Sequence, residues 1–370
     1  MFNRAEIVDR NFLSFVKSGE LPLGRRYSLG ETGLSGEDWI DLFESQVMSR
    51  LLDLRARELK KDNHCYYTIG SSGHEGNAAF AKAFRPSDMA FLHYRSGAFF
   101  IQRAKQVPGQ TPLFDLLLSF MASSEDPISG GRHKVLGSLA LNIPPQTSTI
   151  ASHLPKAVGA ALSISKAKDL NLPSKIPHDG VVLCNFGDAS ANHSTALGAI
   201  NTASWISYQN LKLPLVFFCE DNGVGISVRT PREWIANNFS GRPGLQYFEC
   251  DGLDFVDVYQ TCQKAARWAR NRKKPVFIRM KTVRLLGHAG SDVESNYHSM
   301  DYIQKTEAQD PLLHGARNLI EMGLLSGEDI LNIYQQTREK IRHISEEVVL
   351  REPLKKIEQV QTTITACQDQ

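Results

Sequence analysis

From Tyr66 to about Ser291 the chain alternates short apolar runs with stretches of helical period. Val181 to Phe186, Leu215 to Cys219 and Val276 to Met280 are continuous, rich in Val, Ile and Phe, and bounded by turns. Runs of this kind predict strands buried on both faces. Before and between them Leu154, Val158, Ala161 and Leu162, then Ala196, Ile200, Ala203 and Ile206, recur at the spacing of one helix face, with Pro155 tolerable in a first turn. Strands separated by helices predict an α/β fold, a doubly wound, mostly parallel sheet covered on both faces. We place this domain at residues 61–300, between an N-terminal helical extension at 1–60 and a C-terminal helical segment and tail at 301–370.

The extensions carry their own signal. Ser-Gly-Glu-Asp occurs at Ser35 to Asp38 and again at Ser326 to Asp329. In each case a serine is followed three residues later by an acid and then by a helical stripe: Trp39, Phe43, Val47 and Leu51 in the first, and Ile330, Ile333, Tyr334, Ile341 and Ile344 in the second. Both read as capping boxes, two uses of one helix-start solution rather than an internal repeat. The stretch from Leu350 onward is polar and reads as a solvated helix end or linker.

Charge and composition narrow the function classes. Lys and Arg total 42 against 40 Asp and Glu, a formal net charge of +2, which removes the electrostatic case for nucleic-acid binding. No apolar run approaches the roughly 18 residues of a membrane helix, and Glu6 and Asp9 interrupt any signal or transit pattern near the N-terminus. The expectation is a cytoplasmic protein that engages neither membrane nor nucleic acid. Six cysteines without a CxxC pair give no local zinc or redox motif; Cys184 and Cys219, inside strand runs, read as buried thiols.

In parallel sheets ligands sit outside the carboxyl ends of the strands. After the first central strand the chain reads Gly187-Asp188-Ala189-Ser190, and after the next Glu220-Asp221-Asn222-Gly223-Val224-Gly225. A carboxylate from Asp188, an amide oxygen from Asn222 and the backbone carbonyl of Val224 are hard ligands that suit magnesium shared with substrate phosphates. His288 follows the third strand run in a Gly-rich loop with Asp292 nearby, and an imidazole that titrates near neutrality suits proton transfer. His64, His178, His298, His314 and His343 read as surface residues.

The Gly-Asp and the Asn, 34 positions apart, resemble the thiamine diphosphate motif, with a longer intervening segment placed at Ser207 to Leu213. Other stretches point to one family: Ile69-Gly70-Ser71-Ser72-Gly73-His74-Glu75-Gly76; His93-Tyr94-Arg95; Ser148-Thr149-Ile150-Ala151-Ser152-His153-Leu154-Pro155; and Arg284 to Asp292. From about Leu51 to Leu325, with Asp310-Pro311 also in place, the chain resembles the alpha subunit of thiamine-dependent 2-oxo acid dehydrogenases, nearer the branched-chain type than pyruvate dehydrogenase.

The resemblance implies the thiamine-diphosphate-binding fold. It implies thiamine diphosphate and Mg2+ as cofactors, with Tyr94, Arg95, Ser148, Ile150, Gly187, Ala189 and His288 joining Asp188 and Asn222 around them; Asp188, Asn222 and Val224 would hold the metal. Tyr94 and Arg95 would hold the diphosphate, Ile150 would prop the bent cofactor, and His288 would be catalytic. Thr147, Ser152 and His153 fall where some relatives bind K+, although His153 replaces the usual Gln, which argues against that site. Glu220 stands where relatives carry a phosphate-binding Arg, leaving Arg132 and Arg284 as alternative substitutes, and Ala289 lacks the hydroxyl that is phosphorylated in animal relatives. The implied activity is oxidative decarboxylation of a small 2-oxo acid with acyl transfer to a lipoyl-bearing acyltransferase. It would require a beta subunit, or a fused beta half, in a heterotetramer of two alpha and two beta chains. Two other readings stay open: a thiamine-dependent decarboxylase or transketolase-like enzyme without a lipoyl partner, and a non-catalytic cofactor-binding scaffold.

Overall fold

The computed structural model describes residues 3–146, 149–174 and 176–365. The chain enters through helices α1 (Arg4–Ser18), α2 (Leu29–Thr32) and α3 (Gly36–Lys61). Then follow α4 (Asn77–Ala83), strand β1 (Ala90–Phe91), α5 (Gly97–Lys105), α6 (Pro112–Phe120) and α7 (His153–Asp169). The central part runs β2 (Val182–Gly187), α8 (Ser194–Tyr208), β3 (Leu215–Asp221), the short pair β4 (Val224–Gly225) and β5 (Val228–Arg229), α9 (Trp234–Phe239), β6 (Gln246–Asp251), α10 (Phe255–Arg272) and β7 (Val276–Lys281). Helices α11 (Met300–Glu307), α12 (Pro311–Glu321), α13 (Gly327–Val349) and α14 (Ile357–Thr365) close it.

The expected α/β architecture is what the chain adopts. Five strands form one parallel sheet in the order β1-β2-β3-β7-β6, and β4 and β5 form a separate antiparallel pair. The three apolar runs are its centre. Because side chains alternate across a strand, each run feeds two faces. Val182, Cys184, Phe186, Leu215, Phe217 and Cys219 pack with Leu154, Ala161 and Ile200 of α7 and α8. Leu183, Val216, Phe218 and Ile278 pack on the other face with α4, α5 and α10. There Phe80 stacks on Phe218 with ring centroids 4.0 Å apart. Edge strand β6 was not among the predicted runs; its residues are half-buried or exposed except Cys250, so it lacks the continuous apolar signature.

Both capping boxes form. Asp38 N–H donates to Ser35 Oγ at 3.1 Å while Ser35 N–H donates to Asp38 at 3.0 Å, and Ser326 and Asp329 repeat the exchange at 3.1 and 2.8 Å. The terminal helices share the core of the sheet: Val8, Phe12, Trp39, Tyr334 and Val348 belong to the same buried cluster as Leu183 and Phe218. Helix α3 carries Arg50 into that interior, fully buried. Its guanidinium grips Asp310, the N-cap of α12, at 2.7 and 2.8 Å, and donates to Glu75 at 2.7 Å. One turn on, Asp53 accepts from the backbone of Ser71 and Ser72 at 2.6 and 2.7 Å. The Gly70 to Gly76 motif is thus clamped from behind by α3. His298, expected at the surface, is 6% exposed. It lies beside Arg4 and Arg284 around a small hollow, brought there by the short 294–296 turn that sequence periodicity does not reveal.

Candidate cofactor site

A cavity of about 500 Å³ opens at the carboxyl ends of β1, β2 and β3. Tyr94, Arg95, Ile150, Gly187, Asp188, Ala189, Asn222, Val224 and His288 all line it. Ser148 and Thr147 lie outside the described residues. Parallel pairing sets Gly187 opposite Glu220, and the Asp188 N–H donates to the Glu220 carbonyl at 3.1 Å, so the two strand ends are level. Two glycines allow the second strand end to fold over the first. Gly223 turns the chain at φ 74°, and at Gly225 a Cβ would stand 2.6 Å from that of Ala189.

Asp188 is 1% exposed, and its carboxylate takes the Thr230 hydroxyl as a hydrogen-bond donor. Burial pushes its pKa up to about 6, with Asp221 adding to the rise. The Asn222 amide oxygen accepts the Val224 N–H at 2.9 Å and keeps a second lone pair, while its nitrogen meets His74 Nε2 at 3.0 Å.

The positive side of the cavity is Arg95 and Lys134. Arg95 is 3% exposed, lies 5.1 Å from the Tyr94 ring centroid, and donates to the Gly70 carbonyl and to His288 Nδ1 at 3.0 Å. Lys134 donates to the Tyr94 carbonyl at 3.1 Å. Among the described residues neither has a carboxylate at ion-pair distance; burial lowers the Arg95 pKa and pulls that of Lys134 down to about 8. Lys134 was missed in the sequence, where it stands two residues from Arg132 in a polar loop with nothing local to tell the two cations apart. The two expected substitutes point elsewhere. Arg132 reaches the Gln359 carbonyl at 2.6 Å, and Arg284 reaches the Ile226 carbonyl and Tyr297 hydroxyl, each at 2.8 Å; neither lines the cavity. Glu220 does not line it either.

His288 is held by its own N–H, which donates to Asp292 at 2.6 Å. The Arg95 guanidinium donates to Nδ1, so the imidazole keeps its proton on Nε2. Burial, with Arg95 and Arg284 nearby, depresses its pKa to about 4, which corrects the expected titration near neutrality. NMR titration of His288 in the cofactor-free chain should give a midpoint near 4. In Arg95→Met it should move up by about one pH unit as the adjacent positive charge is removed. An unmoved midpoint would mean that Arg95 does not set the charge state of the ring. His153, the doubtful potassium residue, has its Nε2 engaged with the Asn185 carbonyl at 2.8 Å.

The profile of the dehydrogenase E1 component family matches residues 44–356. The chain belongs to that family. Bacillus subtilis (strain 168) 2-oxoisovalerate dehydrogenase subunit alpha is 29% identical over 304 residues, 80% of this chain and 86% of that protein. The mitochondrial 2-oxoisovalerate dehydrogenase subunit alpha of Caenorhabditis elegans is 25% identical, covering 82% of this chain and 67% of its own length. Rat somatic-form pyruvate dehydrogenase E1 component subunit alpha is 24% identical, covering 84% and 75%. The resemblance to thiamine-dependent 2-oxo acid dehydrogenase alpha subunits therefore holds, and the E1 family depends on thiamine diphosphate.

The residues present in this E1 chain fit that cofactor. Among the described residues, two cations without carboxylate partners and one buried carboxylate without a cation line the same cavity, a donor set matched to a diphosphate and a divalent metal. Among the described residues no helix is long and apolar enough to cross a membrane.

Proposed function

We propose that this E1 chain binds thiamine diphosphate through Mg2+ in the cavity and, joined by a beta chain, decarboxylates a 2-oxo acid and passes the acyl group to a lipoyl-bearing acyltransferase. The carrying observation is the pairing of Arg95 and Lys134, which have no carboxylate at ion-pair distance among the described residues, with the buried Asp188 in one cavity. When bound, the cofactor supplies the electron sink for loss of carbon dioxide. Asp188, Asn222 and the Val224 carbonyl would hold the metal. Arg95, Lys134 and Tyr94 would face the diphosphate, with the backbone of Gly187 and Ala189 beside it. Ile150 offers an apolar prop. His288, neutral and carrying Nε2–H, donates a hydrogen bond into the cavity; it serves as proton donor for acyl transfer once an anion offsets Arg95 and the ring takes up a second proton at Nδ1 in place of the Arg95 contact.

Two features support a beta partner. Among the described residues lining the cavity Asp188 is the only carboxylate, so no second one is present to hydrogen-bond the aminopyrimidine ring. Ile150 and Ile226 line the same cavity and are 41% and 61% exposed, an apolar rim that a second chain would cover. This fits the heterotetramer of two alpha and two beta chains.

The purified chain should therefore turn over no 2-oxo acid, and should gain activity only when a beta chain is added. Acylation of a lipoyl domain by the reconstituted pair separates this reading from a decarboxylase that needs no lipoyl partner. Robust turnover by the chain alone would contradict it, and binding of thiamine diphosphate by the pair without any turnover would favour a non-catalytic cofactor-binding scaffold.

A further inference from the structure

Glu220 departs from the phosphate-binding Arg expected at its position, and its surroundings give it other work. The side chain is completely buried on the face of β3 that carries Val216 and Phe218. One carboxylate oxygen accepts from Asn77 Nδ2 at 3.1 Å and Asn185 Nδ2 at 2.8 Å, and the other meets His74 Nδ1. His74 is also completely buried, and its second nitrogen meets Asn222 Nδ2 at 3.0 Å. Glu220 and Asn222 are two residues apart at one strand end, while His74 comes from 146 positions earlier, so a single imidazole bridges both.

The donor inventory settles the order of protons. A carboxylate only accepts, so His74 Nδ1 carries the hydrogen. The neutral ring then has a lone pair at Nε2, which can be satisfied only by a donor, and Asn222 offers its NH2. An amide whose nitrogen is committed has its oxygen directed the other way, where Oδ1 accepts the Val224 N–H at 2.9 Å. An unanchored Asn side chain can rotate to exchange oxygen for nitrogen, and nitrogen is no ligand for a hard cation.

We propose that Glu220 and His74 are positioning residues that fix the Asn222 amide with its oxygen toward the bound divalent cation. This rests on reading Asn222 as a metal ligand. It also accounts for the tolerance of a carboxylate at position 220 beside a diphosphate site: the charge is spent on three hydrogen-bond donors outside the cavity, and Lys134 supplies a cation within it.

The test uses the complex reconstituted with a beta chain, Mn2+ as the metal probe and saturating thiamine diphosphate, with free Mn2+ read by electron paramagnetic resonance. Glu220→Gln and His74→Phe should weaken Mn2+ binding by about 10–100-fold, the usual effect of removing an outer partner of a metal ligand. Asn185→Leu, which loosens the same buried cluster without touching the His74–Asn222 contact, should leave Mn2+ affinity within about twofold of the unmutated complex. Equal losses in all three would mean general loosening and would overturn the proposal, as would unchanged affinity in folded Glu220→Gln. Asp188→Ala run alongside separates the levels: if Asp188→Ala loses Mn2+ and Glu220→Gln does not, the positioning role alone fails. If neither loses it, the metal-site reading fails and takes the positioning role with it. Should the variants not fold, nitrogen-15 imidazole spectra of the unmutated full chain decide the matter. His74 must show hydrogen on Nδ1 and a lone pair on Nε2, and either other protonation pattern overturns the inference.

Discussion

Arg50→Met is expected to destabilise the chain by about 3–5 kcal/mol, the cost of leaving a buried ion cluster without one partner. Arg50 and Glu75 are fully buried and Asp310 is nearly so, and the guanidinium makes three hydrogen bonds of 2.7, 2.7 and 2.8 Å to the two carboxylates. Without it two acids face each other in a dry interior. Burial already pushes the Glu75 carboxyl up to about 7. A carboxyl whose pKa is raised by folding binds its proton more tightly in the folded chain, so it costs nothing well below its unfolded value near 4.5 and progressively more as pH rises toward the folded value. The penalty in Arg50→Met should therefore be smaller at about pH 5 than at about pH 8. Urea unfolding at both values checks the size and the sign; a pH-independent loss under about 1 kcal/mol would show that the cluster contributes little.

Asp188→Ala should abolish most Mg2+-dependent cofactor binding, by about 100-fold or more, because the lost group would be an anionic ligand itself rather than its outer partner. The opposite sign is expected for the empty chain. A buried carboxylate raised to about 6 by desolvation, with only a hydroxyl and backbone groups against it, is a burden until a cation arrives. Its removal should leave the melting temperature of the cofactor-free chain unchanged or higher. Calorimetric titration of thiamine diphosphate and Mg2+ into the reconstituted complex, beside a thermal melt of the free chain, measures both. Unchanged affinity would remove Asp188 from the metal shell.

Much of this was legible in the residues because the central strands are apolar on both faces. Val181 to Phe186, Leu215 to Cys219 and Val276 to Met280 needed no tertiary information, and once they were placed, the acid and the Asn at their carboxyl ends followed. β1 has two residues and β6 is half-exposed, so neither leaves a period to read. Lys134 and His74 act through what faces them across the fold, and nothing local separates Lys134 from Arg132. Arg50 and Asp53 sit on a helix recognised by its apolar stripe. That stripe does not say which polar positions beside it turn inward. Glu220 was noticed as a departure, but its partners Asn77 and Asn185 lie 143 and 35 positions away.

The separation between Arg50 and Asp310 is 260 residues. A ribosome adds about 5–20 residues per second, so on the order of ten seconds or more passes between synthesis of the arginine and of the acid that holds it. Throughout that interval helix α3 carries a charge with one of its two partners not yet made, and the loop that presents His74 lacks the support of α12. The clamp behind that loop therefore closes only after every strand of the sheet has been made.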